Sequence, residues 1–244
     1  MLIILAFFLG LVASTLSNIA AGGGALVVLP VLLALGIEPL TAVGTIKFGG
    51  IGLIIGSIIG GRGKGVVRKD YLWPMLFIAI AASIIGPLLS INVLSGQVKL
   101  ISSILIIFTA IVSLASFRLK PKKRIVSPRA KYGGFLLYFI LTVILASFGS
   151  GIGLLSSYVL ILVLGMTPIE AIGTRRVAGV VGLPIQLILF FQSGHINLPI
   201  GLALLAGSII GAQIGLRFSL KHGNVFVRRA MSVAAIALVL SLFL

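Results

Sequence analysis

The residues best suited to chemistry are three cations, Lys47, Arg175 and Arg176, which lie inside otherwise apolar stretches of the sequence. Because a charge within a long apolar segment is costly, it usually faces a cavity, a partner or a substrate. The chemistry open to such cations is the binding of an anion. Catalysis and metal binding are not indicated, since the chain has no cysteine, three acidic residues and two histidines without a partner at metal-ligand spacing. We therefore expect a protein that is not an enzyme and uses neither a cofactor nor a metal.

Two glycine-rich breaks lie upstream of these cations and offer an anion a second set of partners. The backbone amides at the start of the helix that follows each break favour negative charge, and glycine lets a ligand approach the backbone closely. The predicted substrate-binding glycines are Gly22, Gly23, Gly24, Gly151 and Gly153. Alternatively, the glycines only permit close packing of helices, as small residues do in membranes.

The break and the cation belong to a motif that occurs twice, at an offset of 129 positions. The aligned residues are Gly22, Gly24, Gly36, Pro39, Ala42, Gly44, Thr45 and Lys47 in the first copy, and Gly151, Gly153, Gly165, Pro168, Ala171, Gly173, Thr174 and Arg176 in the second. Paired broken helices in an apolar chain are the best sequence indication of a transporter's central binding site. The motif therefore predicts a membrane transporter.

Hydroxyl and amide residues in both copies are further candidates for substrate contact. Thr45 and Thr174 align and are predicted to donate hydrogen bonds to the substrate, although each hydroxyl can instead bond back to its own helix. Asn18 and Ser147 also align and are predicted to be minor ligands.

The carboxylates of Glu38 and Glu170 have three possible roles. They stand beside Pro39 and Pro168, where a negative charge stabilises the start of a helix. They could instead pair with the three cations as structural ion pairs, or act as protonatable coupling groups. The two residues do not align with each other, which favours the helix-start interpretation.

Composition independently places the chain in a membrane. It is 59% hydrophobic and 9% charged, too little charge for the surface of a water-soluble domain of this length. Apolar runs such as residues 72–89, 101–117 and 198–216 approach the ~20 residues that cross a bilayer. The net charge of +16 does not indicate nucleic-acid binding, because 15 of the 19 basic residues fall in three short segments, 62–69, 118–131 and 217–229. That clustering is typical of cytoplasmic loops.

The pattern of apolar segments predicts an all-α, multi-pass protein of two repeats. We expect a first transmembrane repeat over 1–117, a basic cytoplasmic linker over 118–131 and a second repeat over 132–244. The predicted helices are 2–20, 25–35, 41–60, 71–92, 98–117, 133–148, 154–164, 170–192, 198–219 and 225–243. Each half thus begins with a Gly-broken or re-entrant helix pair, followed by three long helices. Residues 82–86 resemble 207–211 at an offset of 125, which predicts a four-residue deletion in the second copy, in the loop near Gly194.

The loop charges predict opposite orientations for the two repeats. Loop 62–69 is basic, whereas the corresponding loop 193–197 contains no Lys or Arg. The first is therefore expected inside the cell and the second outside, so that the halves are inverted repeats and both termini are external.

The duplicated motif resembles the sulfite exporter TauE/SafE family, which is also grouped with 4-toluene sulfonate uptake permeases. The similarity lies in the first glycine-rich break, the stretch 36–45 and its repeat at 165–174, and extends over nearly the whole chain. It implies secondary transport of sulfite, sulfonates or related organosulfur anions across the cell membrane. The alternatives are an anion channel and a non-transporting membrane scaffold.

The resemblance and the residues together predict alternating access around one central site. A small sulfur-containing anion would lie between the two breaks, with Lys47 and either Arg175 or Arg176 balancing its charge. One repeat would rock or slide against the other. The expected partners are this anion, the lipid bilayer and a proton or another coupling ion, with no nucleic acid.

Overall fold

The computed structural model describes residues 2–22, 24–92, 95–116, 127–148 and 152–240, and every regular element in these ranges is helical. The helices are α1 (Leu2–Ile19), α2 (Ala25–Ala34), α3 (Pro39–Gly61), α4 (Lys69–Ile91), α5 (Ser95–Ser116), α6 (Pro128–Phe148), α7 (Ile152–Tyr158, continued by a π-helix over Val159–Val163), α8 (Pro168–Gln192) and α9 (Leu198–Leu240). Six of the described helices are long and apolar enough to cross a membrane. The predicted all-α membrane fold is confirmed.

The predicted order of long and short helices is also found in both halves. α2 has ten residues, about 15 Å at 1.5 Å per residue, which is half a bilayer. In the second half, α7 and its π-helical continuation take the corresponding place. α9 is interrupted at Gly223, where φ is 78°, so it supplies the last two predicted helices, of which residues 241–243 lie outside the described ranges.

Helix starts depend on local sequence, and one differs from the prediction. Glu38 accepts hydrogen bonds from the backbone amides of Leu40 and Thr41 at the start of α3. α6 begins at Pro128 and not at 133, because proline is favoured in a first helical turn and Ser127 accepts a bond from the Ala130 amide. The last residues of the predicted linker 118–131 are therefore helical, while 117–126 lie outside the described residues.

The helices pack in two groups, which we call lobes, and each lobe contains helices from both halves of the sequence. The first lobe contains α1, α2, α3 and the beginning of α9, and the second contains α4, α6, α7 and α8. Successive glycines of α9, at 207, 211 and 215, face residues 7, 11 and 15 of α1 in turn, so the two helices run in the same direction. Small residues allow this close approach.

The lobes meet where α3 crosses α8 in the opposite direction. Gly50 faces Leu183, and Ile54 faces Gly179 one turn further along, so residue numbers rise along α3 as they fall along α8. Lys47 is therefore level with Gln186, and Arg176 is level with Ser57. Equivalent residues of the two copies thus lie on opposite sides of the crossing.

The deletion expected near Gly194 lies elsewhere. The Thr45 hydroxyl accepts a hydrogen bond from the backbone amide of Asn197, and the Thr174 hydroxyl accepts one from the backbone amide of Arg68. Asn197 and Arg68 are 129 positions apart, so the two loops keep the offset of the motif. Further along, Ser83 contacts α8 at Gly182 as Ser208 contacts α3 at Gly52. The two serines are 125 positions apart, which is the offset of the later similarity. The predicted loop deletion is wrong: the four residues form about one extra turn within α4, which a helix can absorb without changing its loop.

Candidate functional site

A cavity of about 190 Å³ lies between α3 of the first lobe and α4, α6 and α8 of the second. It is more than ten times the ~10–15 Å³ that one water molecule needs. The sequence-predicted site residues that line it are Gly22, Lys47, Gly153, Arg175 and Arg176. The fold thus brings both breaks and all three cations to one space.

The two helix breaks meet directly at this cavity. A Cβ atom on Gly22 would lie 2.6 Å from the backbone carbonyl of Gly153, and the φ of Gly22 is +124°. Both features require glycine at position 22, because a side chain would force the breaks apart and strain the backbone. The site is therefore the contact between the two copies of the motif.

Arg175 joins the two breaks. Its guanidinium donates to the Gly153 carbonyl and, at 3.1 Å, to the Ser156 hydroxyl in the second break, and at 3.2 Å to the Ala21 carbonyl in the first. Its Nε is buried and has no hydrogen-bond partner among the described residues. Arg175 thus links the two breaks, and among the described residues its Nε–H remains available to a ligand.

Lys47 and Arg176 enter the cavity from opposite sides of the α3–α8 crossing. The Lys47 ammonium donates to the Leu145 carbonyl near the end of α6 at 2.7 Å. Arg176 donates to Ser17 at 2.9 Å and more weakly to Asn18 at 3.4 Å, near the end of α1. Gln186 of α8 is level with Lys47, and Arg176 lies ten residues from Gln186 along the same helix, a distance of about 15 Å. Each cation therefore reaches the first helix of the opposite half.

None of the three carboxylates in the chain contacts these cations within the described residues. Glu38 caps α3 and lies 3.7 Å from His195. Asp70 pairs with Arg68 at the start of α4, 3.2 Å away, and Glu170 completes a capping box with Thr167. The cavity consequently carries an excess of positive charge. The carboxylates serve helix starts and a surface pair, so the proposed structural ion pairs with the cations are not found.

Other predicted residues are placed outside the cavity. Thr45 donates to the Thr41 carbonyl and accepts from a backbone amide, and Thr174 likewise accepts from a backbone amide. Gly24 packs against the backbone of α1 at Ala13. Gly23 and Gly151 lie outside the described residues.

Asn18 and Ser147, the predicted minor ligands, are fully buried. Asn18 donates to Ser57 at 2.8 Å and to the Ala212 carbonyl at 2.9 Å, so its amide nitrogen is occupied by contacts between helices. The Ser147 hydroxyl donates to the Val143 carbonyl of its own helix.

Comparison with known proteins identifies a family for the chain. The profile described as sulfite exporter TauE/SafE matches residues 6–242. The chain belongs to the sulfite exporter TauE/SafE family. It is 28% identical to a probable membrane transporter protein of Haemophilus influenzae over 93% of this chain and 89% of that protein.

More distant relatives carry similar descriptions. The chain is 26% identical to the probable membrane transporter protein ORF9 of a Sinorhizobium species, over 97% of this chain and 90% of the relative. It is 25% identical to the probable membrane transporter protein YfcA of Escherichia coli K12, over 91% and 82%. No solved structure matches the chain. Family membership, these relatives and the six apolar helices support membrane transport by a multi-pass protein.

Five polar residues of the cavity were not predicted as part of the site: Ser17, Ser83, Tyr138, Thr142 and Gln186. The amide nitrogen of Gln186 donates to the Ser83 hydroxyl at 2.9 Å, which links α8 to α4. A polar residue inside an apolar span was the only available signal. Tyr138 and Thr142 gave none, because they lie outside the duplicated motif.

Proposed function

We propose that this protein is a secondary transporter of small sulfur-containing anions, such as sulfite, sulfonates or related oxyanions, across the cytoplasmic membrane. The observation that supports it best is a central cavity with three cations that no carboxylate contacts within the described ranges. A charge in a low-dielectric site is strongly disfavoured unless it is compensated. A bound anion would supply the missing compensation.

The proposed substrate lies beside the contact of the two breaks. Arg175 holds the breaks together and offers its Nε, which has no partner in the described part of the chain, while Lys47 and Arg176 add positive charge from the two sides of the crossing. Thr45 and Thr174 are assigned to the support of the fold, because their hydroxyls already serve backbone groups. Sulfur oxyanions are preferred over other anions on the basis of the family description alone.

Alternating access is proposed to arise from movement of the lobes about the crossing of α3 and α8. The opposite directions of these two helices support inverted repeats, as do the equivalent cations on either side of the crossing. On this proposal loops 62–69, 118–131 and 217–229 are cytoplasmic and both termini are external. A proton or another coupling ion would drive the cycle.

The proposal is tested by measuring the uptake of sulfite, methanesulfonate or chloride into proteoliposomes that contain the protein. Saturable uptake that responds to an imposed proton or counter-ion gradient is expected for a carrier. Flux that rises linearly with concentration would indicate a channel instead, and the absence of flux for all three anions would favour a scaffold.

Binding is measured separately by the thermal stability of the purified protein with each anion. A ligand that binds only the folded state stabilises it by about 2.7 kcal/mol at a hundred times its dissociation constant. Stabilisation by a sulfur oxyanion but not by chloride is expected, and equal stabilisation by both would contradict a selective site.

A further inference from the structure

One polar atom in the cavity wall lacks a partner. Gln186 is only 9% exposed, and although its amide nitrogen donates to Ser83, its Oε1 has no hydrogen-bond partner in the described part of the chain. A buried acceptor without a donor costs free energy that folding alone does not recover. Such an atom in the wall of a binding cavity indicates a group supplied by the ligand.

Gln186 lies directly across from an available cation. The antiparallel crossing of α3 and α8 makes it level with Lys47, and packed helix axes are about 8–10 Å apart. Among the described residues Lys47 uses one of its three donors, on the Leu145 carbonyl, which leaves two for a ligand. A ligand between them would therefore be short, with an anionic head at Lys47 and a hydrogen-bond donor at Gln186.

The two repeats contribute unequal polar side chains to the cavity. Tyr138 and Thr142 line it, and the positions that align with them in the first repeat are Leu9 and Ala13, whereas Ser17 of the first repeat aligns with Ala146. Arg175 likewise aligns with Ile46. A symmetric inorganic anion needs no such difference, whereas a ligand with two unlike ends does.

We infer that Gln186, with Ser83 hydrogen-bonded to it, forms a subsite for the hydroxyl group of a short hydroxyalkanesulfonate. The inference rests on the proposed anion transport and specifies its substrate class. A hydroxyl can donate to the free Oε1. An ammonium group could donate as well, but Lys47 and Arg175 would repel it in a site with excess positive charge.

The experiment compares the affinities of three sulfonates of nearly equal size for purified protein: 2-hydroxyethanesulfonate, ethanesulfonate and 2-aminoethanesulfonate. Wild-type protein is expected to bind the hydroxyl compound about three- to tenfold more tightly than ethanesulfonate, the ratio expected for one neutral hydrogen bond. The amino compound is expected to bind most weakly.

The variant Gln186→Leu separates the subsite from the anion site. It is expected to abolish the preference, so that the ratio of the affinities for the hydroxyl compound and ethanesulfonate falls to about one. Gln213→Leu is the matched control, since Gln213 lies on α9 outside the cavity lining, and it is expected to keep the preference.

Each outcome separates the two proposals. Equal binding of the hydroxyl compound and ethanesulfonate by wild-type protein, or a preference that survives Gln186→Leu, would overturn the subsite while leaving the anion site in place. Failure of all three sulfonates to bind would overturn the proposed transport function and the subsite with it.

Discussion

Substitution of Gly22 by alanine tests whether contact between the two breaks holds the site together. The new Cβ would lie 2.6 Å from the Gly153 carbonyl and 2.9 Å from Nη2 of Arg175, whereas carbon atoms in contact are about 3.5–4.0 Å apart. The breaks would have to separate by roughly 1 Å. Overpacking of this kind costs about 1–3 kcal/mol, and a non-glycine residue in a sparsely populated backbone region costs about 1–3 kcal/mol more.

Gly36→Ala is the control for the backbone strain that an alanine at a positive φ causes. Gly36 also has a positive φ, +79°, but a Cβ there would meet nothing within 4 Å. Both variants therefore carry backbone strain, and only Gly22→Ala carries the clash. We expect Gly22→Ala to lower the free energy of unfolding by about 1–3 kcal/mol more than Gly36→Ala, and only Gly22→Ala to weaken anion binding.

The assay is SDS-induced unfolding of purified protein in detergent, followed by circular dichroism, together with anion titrations on the same samples. Equal destabilisation by the two variants, with anion affinity intact in both, would refute the argument that the breaks are in tight contact at the site.

Three further predictions concern the cations, the threonines and the packing of the lobes. Lys47→Ala and Arg176→Ala should each weaken anion binding about 10- to 100-fold in thermal-shift titrations, as expected for loss of a charged hydrogen-bond donor; unchanged affinity in both would remove them from the site. Thr45→Val should lower stability by about 1–3 kcal/mol, because the Asn197 amide loses its acceptor, while anion affinity stays the same; a loss of affinity without a loss of stability would make Thr45 a ligand. Gly86→Ala should destabilise by about 1–3 kcal/mol, since its Cβ would collide with Ala146, whereas Gly133→Ala, which meets nothing within 4 Å, should not; equal unfolding midpoints would contradict the packing of α4 on α6.

The anion-site hypothesis depends on the rarity of carboxylates as much as on the cations. A chain with nineteen basic and three acidic residues has only as many carboxylates as there are cations in the cavity, so each carboxylate used elsewhere leaves one of these cations unpaired. In the fold the three carboxylates lie at helix starts, where backbone amides and surface cations already compensate them. The excess positive charge at the cavity is thus a property of the whole sequence, and its location is a property of the fold.

Sequence alone determined the class of the protein and the existence of two equivalent breaks. The long apolar segments and the small number of charged residues indicate a membrane protein, because charged and unpaired polar side chains are costly inside a bilayer. Glycine and proline interrupt helices through local backbone geometry, so α2 and α7 were predictable as short elements beside the breaks. The cations at positions 47, 175 and 176 were recognisable because they lie inside apolar segments.

Only the tertiary structure decided what each residue does. It placed Arg175 across both breaks, used Thr45 and Thr174 to complete the backbone hydrogen bonds of distant loops, and brought Gln186 level with Lys47. These contacts join residues more than 100 positions apart in the sequence, and they depend on which helices pack together and in which direction. Periodicity and composition describe each segment by itself, so they carry no information about these pairings.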